Sequence, residues 1–216
     1  MLKLKFDLPD RPLRLLCIGA HSDDLEIGCG GTVLKWLDAH KDLAITWVVA
    51  SAPGQREAEA RNSADELLEG AARVDLVLRD FRDGFLPAQF SDAKLLFEDL
   101  KTGEPPDIVL THRLEDRHQD HRLIAELTWQ TFRNHLILEY EVPKYEGDLG
   151  QPNLFVQLPS TICQRKVKHL MSHFGSQRSK NWFTEDAFTS VMRLRGLESN
   201  ASEKFAEAFY CRKLVV

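Results

Sequence analysis

The sequence AHSDDLEIGCGGT, from Ala20 to Thr32, places one histidine and two adjacent carboxylates between an apolar run and a group of glycines. The apolar run, residues 13–20, is typical of a buried strand, and residues 32–37 predict a helix that the chain enters through a glycine turn. His21 is then expected at the carboxyl end of a strand. Because ligands collect at that edge of open α/β sheets, the stretch predicts half of a metal site.

Length and composition indicate an ordinary globular protein. The chain has 216 residues, 43% of them apolar and 28% charged, which predicts one α/β domain over residues 1–216. The net charge of −5 argues against a nucleic-acid partner, since such proteins usually carry a strongly basic face. No apolar run approaches the roughly 20 residues of a membrane span, and charges interrupt the N-terminal segment where a signal peptide would be apolar. We therefore expect a cytoplasmic protein without a membrane partner.

Strand patterns alternate with helix patterns along the chain. After the first strand and helix, strands are predicted at residues 44–50, 74–78, 107–111, 135–142 and 154–158. Helices are predicted at residues 55–68, 91–100, 120–133, 161–174 and 184–194, with Ser91 as the N-cap of the second of these and Gly196 ending the last. Residues 205–216 are expected to pass from helix into a final strand. The alternation predicts a Rossmann-like, mostly parallel sheet with helices on both faces.

A second polar cluster follows the predicted strand at residues 107–111. It reads HRLEDRHQDH from His112 to His121 and leads into the next predicted helix. Right-handed β-α-β connections bring the carboxyl ends of parallel strands to one edge of the sheet. The two clusters are therefore expected to face one pocket.

Together the clusters contain the parts of a hydrolytic metal site. A catalytic zinc takes about three ligands from His, Asp or Glu and leaves a position for water. His21 and Asp24, with either His118 or His121, make such a set. Asp23 lies beside the ligands and can accept a proton from a water whose pKa the metal lowers towards ~7.

Other interpretations stay open at this point. An Asp-Asp pair after a strand is often only a turn or helix cap, and a lone histidine is commonly a surface or core residue. We accept that interpretation for four histidines: His40, His135, His169 and His173. His112 is ambiguous, because it ends a strand but lies outside the tight group from His118 to His121. Two alternative functions are a metallophosphoesterase with two metals about 3.5–4 Å apart and a sugar-binding protein without turnover.

The glycines of the first cluster do not indicate a dinucleotide site. Their spacing differs from G-x-G-x-x-G, and no acidic residue ends the second strand to hold a ribose. The sequence also lacks a G-x-S-x-G nucleophile elbow, which argues against serine-based hydrolysis.

The two clusters resemble the motifs of the PIG-L or LmbE-like family of metal-dependent deacetylases, which act on N-acetylglucosamine conjugates. The family motif A-H-P-D-D-x-E-x-G-C-G-G-T is similar to residues 20–32, with Ser22 in place of the usual proline, and the motif H-x-D-H is matched at residues 118–121. Weaker similarities lie at Arg56 and at residues 83–86, 195–196 and 206–209. The resemblance covers almost the whole chain.

The resemblance implies a ligand set and a base. His21, Asp24 and His121 would bind zinc, with iron(II) or another divalent ion as an alternative, and Asp23 would act as general base. The expected reaction is hydrolysis of the acetamide of a small amino-sugar conjugate. Members of the family are often oligomeric, so a homo-oligomer is a further expectation.

The resemblance also implies supporting roles for four residues. His118 would stabilise the developing oxyanion or protonate the leaving amine, and Asp120 would orient it. Arg56 and Asp83 would contact the substrate.

Overall fold

The computed structural model describes residues 11–40 and 42–215. Outside them lie residues 1–10, over which we expect no signal peptide, together with Lys41 and Val216, the last residue of the predicted tail strand. The strands are β1 (Leu13–His21), β2 (Leu43–Ser51), β3 (Arg73–Leu78), β4 (Ile108–His112), β5 (Leu136–Tyr140), β6 (Leu154–Leu158) and β7 (Phe205–Cys211). The α-helices are α1 (Asp24–Ala39), α2 (Gln55–Leu67), α3 (Phe90–Thr102), α4 (Gln119–Thr131), α5 (Ser160–His173) and α6 (Glu185–Glu198). Among the described helices, none combines the length and apolar character needed to cross a bilayer.

The strands form a single sheet in the order β3-β2-β1-β4-β5-β7-β6. Strands β1 to β5 pair in parallel, whereas β7 pairs antiparallel with both β5 and β6. The chain proceeds outward in one direction from β1 to β3 and in the other from β4, so the strand order reverses between β1 and β4. Such a reversal opens a crevice at the carboxyl ends of the two strands. The predicted mostly parallel, Rossmann-like sheet is confirmed.

Helices cover both faces of the sheet, as the alternation along β1 illustrates. Leu15 and Cys17 point into a core that contains residues of α1, α2, α5 and α6. Leu16 and Ile18 point into a second core formed with α3 and α4. Successive side chains of a strand face opposite sides, so one buried strand contributes to both cores.

The glycine turn predicted before the first helix is wrong, because the glycines lie inside α1. A Cβ atom on Gly28 would lie 2.1 Å from Cδ2 of Tyr140, and one on Gly31 would lie 2.7 Å from Cδ1 of Leu158. The glycines therefore let β5 and β6 approach the helix closely. Here packing outweighs the low helix propensity of glycine.

An ion pair from the C-terminal part of the chain contacts the backbone of α1. Glu207 on β7 accepts hydrogen bonds from the backbone N–H groups of Gly31 (2.8 Å) and Thr32 (2.6 Å). Lys166 on α5 donates to the carbonyl of Ile27 (2.5 Å) and to Glu207 Oε1 (2.6 Å). A regular α-helix would pair Ile27 C=O with Gly31 N–H. In α1 both groups have side-chain partners, so the middle of the helix is held by α5 and β7.

Three local predictions differ from the structure. Helix α3 begins one residue before Ser91, so Ser91 lies inside the helix and does not cap it. Helix α6 continues through Gly196 to Glu198. A Cβ on Gly196 would lie 1.9 Å from the carbonyl oxygen of Lys204, so close packing, and not the end of the helix, accounts for the glycine. The tail has no helix before its strand, and β7 begins at Phe205.

Candidate metal centre

Three predicted ligands meet at the crevice between β1 and β4. His21 ends β1, Asp24 begins α1, and His121 lies in the first turn of α4. His21 Nδ1 lies 3.1 Å from His121 Nε2 and 3.2 Å from Asp24 Oδ2, and the remaining distance, Asp24 Oδ2 to His121 Nε2, is 3.4 Å. All three side chains are buried. The fold thus brings together residues separated by 100 positions.

The spacing of these three atoms fits a divalent metal. A tetrahedral zinc with bonds of about 2.0–2.1 Å separates its ligand atoms by roughly 3.3–3.4 Å. Two imidazoles and one carboxylate are also a donor set of catalytic zinc sites, and iron(II) accepts the same ligands.

The outer nitrogens of both imidazoles face carboxylates. His121 Nδ1 lies 3.0 Å from Asp116 Oδ2, and His21 Nε2 lies 3.2 Å from Asp120 Oδ2 and 3.1 Å from Asp83 Oδ1. A metal-binding histidine almost always donates its other N–H to such a partner, which leaves the inner nitrogen free for the metal. Asp116 is absent from our sequence-based site, because the H-x-D-H motif draws attention to Asp120 instead.

The electrostatics of the centre favour a cation. Burial lowers the pKa of His21, but the carboxylates of Asp24 and Asp120 outweigh this effect and hold the pKa well above its ordinary value. Burial raises the pKa of Asp24, but the imidazoles of His121, His112 and His21 hold it well below the usual range. The pKa values of His21 and His121 are both raised, so a metal bound by these two imidazoles would displace protons and its affinity would rise with pH.

Asp23 lies next to the ligands and pairs with Arg56. Its Oδ1 lies 3.2 Å from Arg56 Nη2, and Arg56 Nη1 donates to Asp83 Oδ2 at 2.9 Å. Burial and the neighbouring Asp24 raise the pKa of Asp23, while Arg56 and His21 lower it in part. Its side chain makes no capping hydrogen bond to α1. The simple helix-cap interpretation therefore does not account for Asp23.

Asp120 supports a different neighbour from the one we expected. Its carboxylate contacts His21 and accepts the backbone N–H groups of Gly84 (2.7 Å) and Leu86 (3.1 Å). Its contact with His118 runs through the backbone, because Asp120 N–H donates to His118 Nδ1 at 3.3 Å. His118 is thus the N-cap of α4, and the carboxylate of Asp120 orients His21 and the loop that begins at Asp83.

His112, which the sequence leaves ambiguous, lies directly behind the ligands. It is fully buried at the end of β4, and its Nε2 lies 3.2 Å from Asp24 Oδ2 and accepts the N–H of Ala20 at 2.9 Å. Its ring stacks on His121 with 3.9 Å between centroids. Its position at the end of a strand was the feature of the sequence that could have placed His112 next to the candidate ligands.

Comparison with known proteins identifies the family. Residues 16–132 match the family model described as PIG-L: GlcNAc-PI de-N-acetylase. The chain belongs to the PIG-L family. A relative from Escherichia coli strain K12, described as the uncharacterized deacetylase YaiS, is 32% identical over 172 residues, which cover 74% of this chain and 89% of the relative. The PIG-L match spans every candidate site residue from His21 to His121.

Solved structures share the fold at lower identity. The hydratase GalB of Pseudomonas putida KT2440, which acts on 4-carboxy-2-hydroxymuconate, has a TM-score of 0.74 and 19% identity, covering 94% of this chain and 98% of GalB. The N,N'-diacetylchitobiose deacetylase of Pyrococcus horikoshii has a TM-score of 0.63 and 20% identity, covering 91% and 82%. This fold carries a hydratase as well as a deacetylase, so the reaction of a PIG-L chain depends on its own site residues and not on the fold.

Proposed function

We propose that this chain is a metal-dependent hydrolase that removes the N-acetyl group from a small N-acetylglucosamine-type sugar conjugate. The observation that carries the proposal is the mutual approach, within 3.4 Å, of His21 Nδ1, Asp24 Oδ2 and His121 Nε2. Membership of the PIG-L family and the deacetylase descriptions of relatives support an acetamide as the substrate bond.

His21, Asp24 and His121 would hold the metal, which is zinc or, with the same ligands, iron(II). When bound, the metal supplies a Lewis acid that polarises a carbonyl and makes a nearby water more acidic. The carboxylates behind the two imidazoles keep the inner nitrogens directed at it.

Asp23 is the general base of the proposed reaction. Burial and Asp24 raise its pKa, and a base with a raised pKa is better matched to proton transfer near neutral pH. Arg56 Nη2 holds one carboxylate oxygen in place. Asp23 takes the proton of the water that attacks the acetamide carbon.

His118 is the oxyanion donor. Its Nδ1 accepts the N–H of Asp120, so the neutral ring carries its proton on Nε2. Burial and the imidazoles of His121 and His21 lower the pKa of His118, which favours the neutral ring. Nε2–H can then donate to the carbonyl oxygen as negative charge develops there.

Bond cleavage completes the reaction. The water oxygen forms a bond to the acetyl carbon, and the C–N bond breaks. The proton taken by Asp23 passes to the amine nitrogen as it leaves. The products are acetate and a free amino sugar.

Most carboxylates around the candidate metal centre already have protein partners, which bears on the two-metal phosphoesterase. A second metal at this centre would need free carboxylate ligands. Asp120 is already engaged by His21 and two backbone N–H groups, Asp23 by Arg56, and Asp116 by His121 and Lys144. A second metal held by His21, Asp83 and Asp120 would have to displace these partners and the contact of Asp83 with Arg56.

Acetate release tests the proposal. Zinc-loaded protein would be incubated with a panel of N-acetylglucosamine conjugates, and acetate and free amine would be measured. We expect equal amounts of both from at least one conjugate. Release of phosphate from phosphoester analogues without acetate would support the phosphoesterase instead. Saturable binding of a conjugate without either product would identify a sugar-binding protein.

A further inference from the structure

A second group of metal-ligating side chains lies outside the candidate metal centre, where the C-terminal ends of α2 and α5 meet. Glu66 is in the last turn of α2, and His173 is the last residue of α5, with His169 one turn before it. Residues four apart share one helix face. The two imidazoles therefore project towards α2 together.

The ligand atoms of this group are close enough to share one ion. His173 Nε2 lies 3.0 Å from Glu66 Oε2, and His169 Nδ1 lies 3.6 Å from Glu66 Oε1. The two imidazole centroids are 4.3 Å apart. One ligand atom from each residue falls within 4.8 Å of the other two, so side-chain rotation alone can bring them to the roughly 3.3–3.4 Å separation around a tetrahedral zinc.

The outer nitrogen of His169 is fixed from inside the protein. Nε2 lies 2.8 Å from the hydroxyl of Ser63, which is fully buried and contacts Glu26 in turn. Nδ1 is consequently the nitrogen that faces Glu66 and solvent. A hydrogen-bonded partner on the far nitrogen is the arrangement that orients metal-binding histidines. Because Ser63 is inaccessible, the Ser63–His169 contact does not form a serine nucleophile.

The surroundings favour a cation and hold the ligands in place. The carbonyl ends of α2 and α5 both carry partial negative charge. Ser176, just after α5, donates its backbone N–H and its hydroxyl to Glu59 in the first half of α2, which fixes the segment that follows α5 against α2. The side chain of Glu66 is 65% exposed, so an ion can enter from solvent and keep water ligands.

We propose that Glu66, His169 and His173 form a second metal site, which binds a divalent transition metal such as Zn²⁺ and clamps α2 to α5. Two imidazoles and a carboxylate suit zinc and its neighbours better than calcium or magnesium, which prefer oxygen ligands. By sequence alone, His169 and His173 are ordinary surface or core histidines. Their i, i+4 spacing is compatible with a shared metal, but the third ligand, Glu66, comes from a helix distant in sequence and could not be found by spacing.

Zinc stoichiometry tests this site separately from the candidate metal centre. Chelator-treated protein would be dialysed against buffered Zn²⁺, and zinc per chain would be measured by elemental analysis. We expect two zinc ions in the wild type, one in His173→Gln and one in Glu66→Gln. His121→Ala should also keep one, at the new site, while the matched control His135→Gln should keep two.

A thermal shift gives an independent readout. Added Zn²⁺ should raise the melting temperature of His121→Ala, whose remaining zinc is at the new site, but should not raise that of a variant that also carries His173→Gln. Two zinc ions with wild-type affinity in both His173→Gln and Glu66→Gln would overturn the proposal. A wild type that binds one zinc ion, lost in His121→Ala, would overturn it as well. Neither result depends on acetate release.

Discussion

Asp116 Oδ2 lies 3.0 Å from His121 Nδ1 and 2.8 Å from Lys144 Nζ. Burial raises the pKa of Asp116, but His121, His112 and Lys144 together hold it well below the usual range. The carboxylate is therefore ionised at all ordinary pH values. It can accept the Nδ1–H of His121 permanently and keep Nε2 directed at the ligand cluster.

Replacing Asp116 by asparagine should weaken metal binding. An amide nitrogen at the Oδ2 position cannot accept Nδ1–H, and loss of such a partner typically costs 10–100-fold in metal affinity. Zinc affinity would be measured by competition with a chromophoric chelator. Asp99→Asn, an exposed site on α3, is the matched control. Equal zinc affinity in the Asp116→Asn variant and the wild type would remove Asp116 from the centre.

Asp23→Asn should retain zinc and lose turnover. The amide keeps an oxygen for Arg56 but cannot take a proton, and a general base typically contributes about 10²–10⁴-fold to the rate. The measurements are kcat for acetate release and zinc per chain. Asp38→Asn, an exposed change on the same helix, should leave both unchanged. Wild-type kcat in Asp23→Asn would exclude Asp23 as the base.

His118→Asn separates capping from catalysis. Asparagine is a preferred N-cap, so α4 and the melting temperature should be preserved. The shorter side chain removes the imidazole Nε2–H, and loss of one oxyanion donor costs roughly 10²–10³-fold in kcat. We expect that loss of kcat without a comparable rise in KM. A variant with full kcat would show that His118 serves α4 alone.

The glycines of α1 should respond in opposite directions to alanine. Gly28→Ala places a methyl group against the buried ring of Tyr140, and overpacking of this kind lowers the free energy of unfolding by about 1–3 kcal/mol. A Cβ on Gly30 would have no neighbour closer than 3.8 Å. Gly30→Ala should therefore raise the free energy of unfolding by about 0.5–1 kcal/mol. Urea unfolding of both variants checks the contrast, and equal effects would contradict it.

Strand and helix order was predictable from the sequence, because apolar runs such as residues 13–20 alternate with helix-like segments and end in polar clusters. The meeting of His21 with His121 followed from the right-handed connections of parallel strands. The helical glycines were not predictable, since local propensity favours a turn and the packing partner Tyr140 is more than 100 residues away. The antiparallel direction of β7 is likewise set by distant pairing.

The pairing of carboxylates with imidazoles was also not predictable from the sequence. Asp116 and Asp120 both lie near His121 in the sequence, and spacing does not tell which ring each one meets. That choice depends on the path of the chain from β4 into α4. It depends equally on the loop at Asp83, because the backbone N–H groups of Gly84 and Leu86 donate hydrogen bonds to the carboxylate of Asp120.

The ion pair of Lys166 and Glu207, which contacts the backbone of α1, limits how short a fragment with a correctly positioned metal centre can be. Every candidate residue of the metal centre lies within the first 121 positions, so a fragment ending after α4 would contain the complete reactive set. That fragment would lack Tyr140, Lys166 and Glu207, which hold α1 from the other side. Its first helix, and with it Asp23 and Asp24, would lose the contacts that position it. The reactive residues lie in the first 121 positions, but the part of the fold that positions them extends into β7.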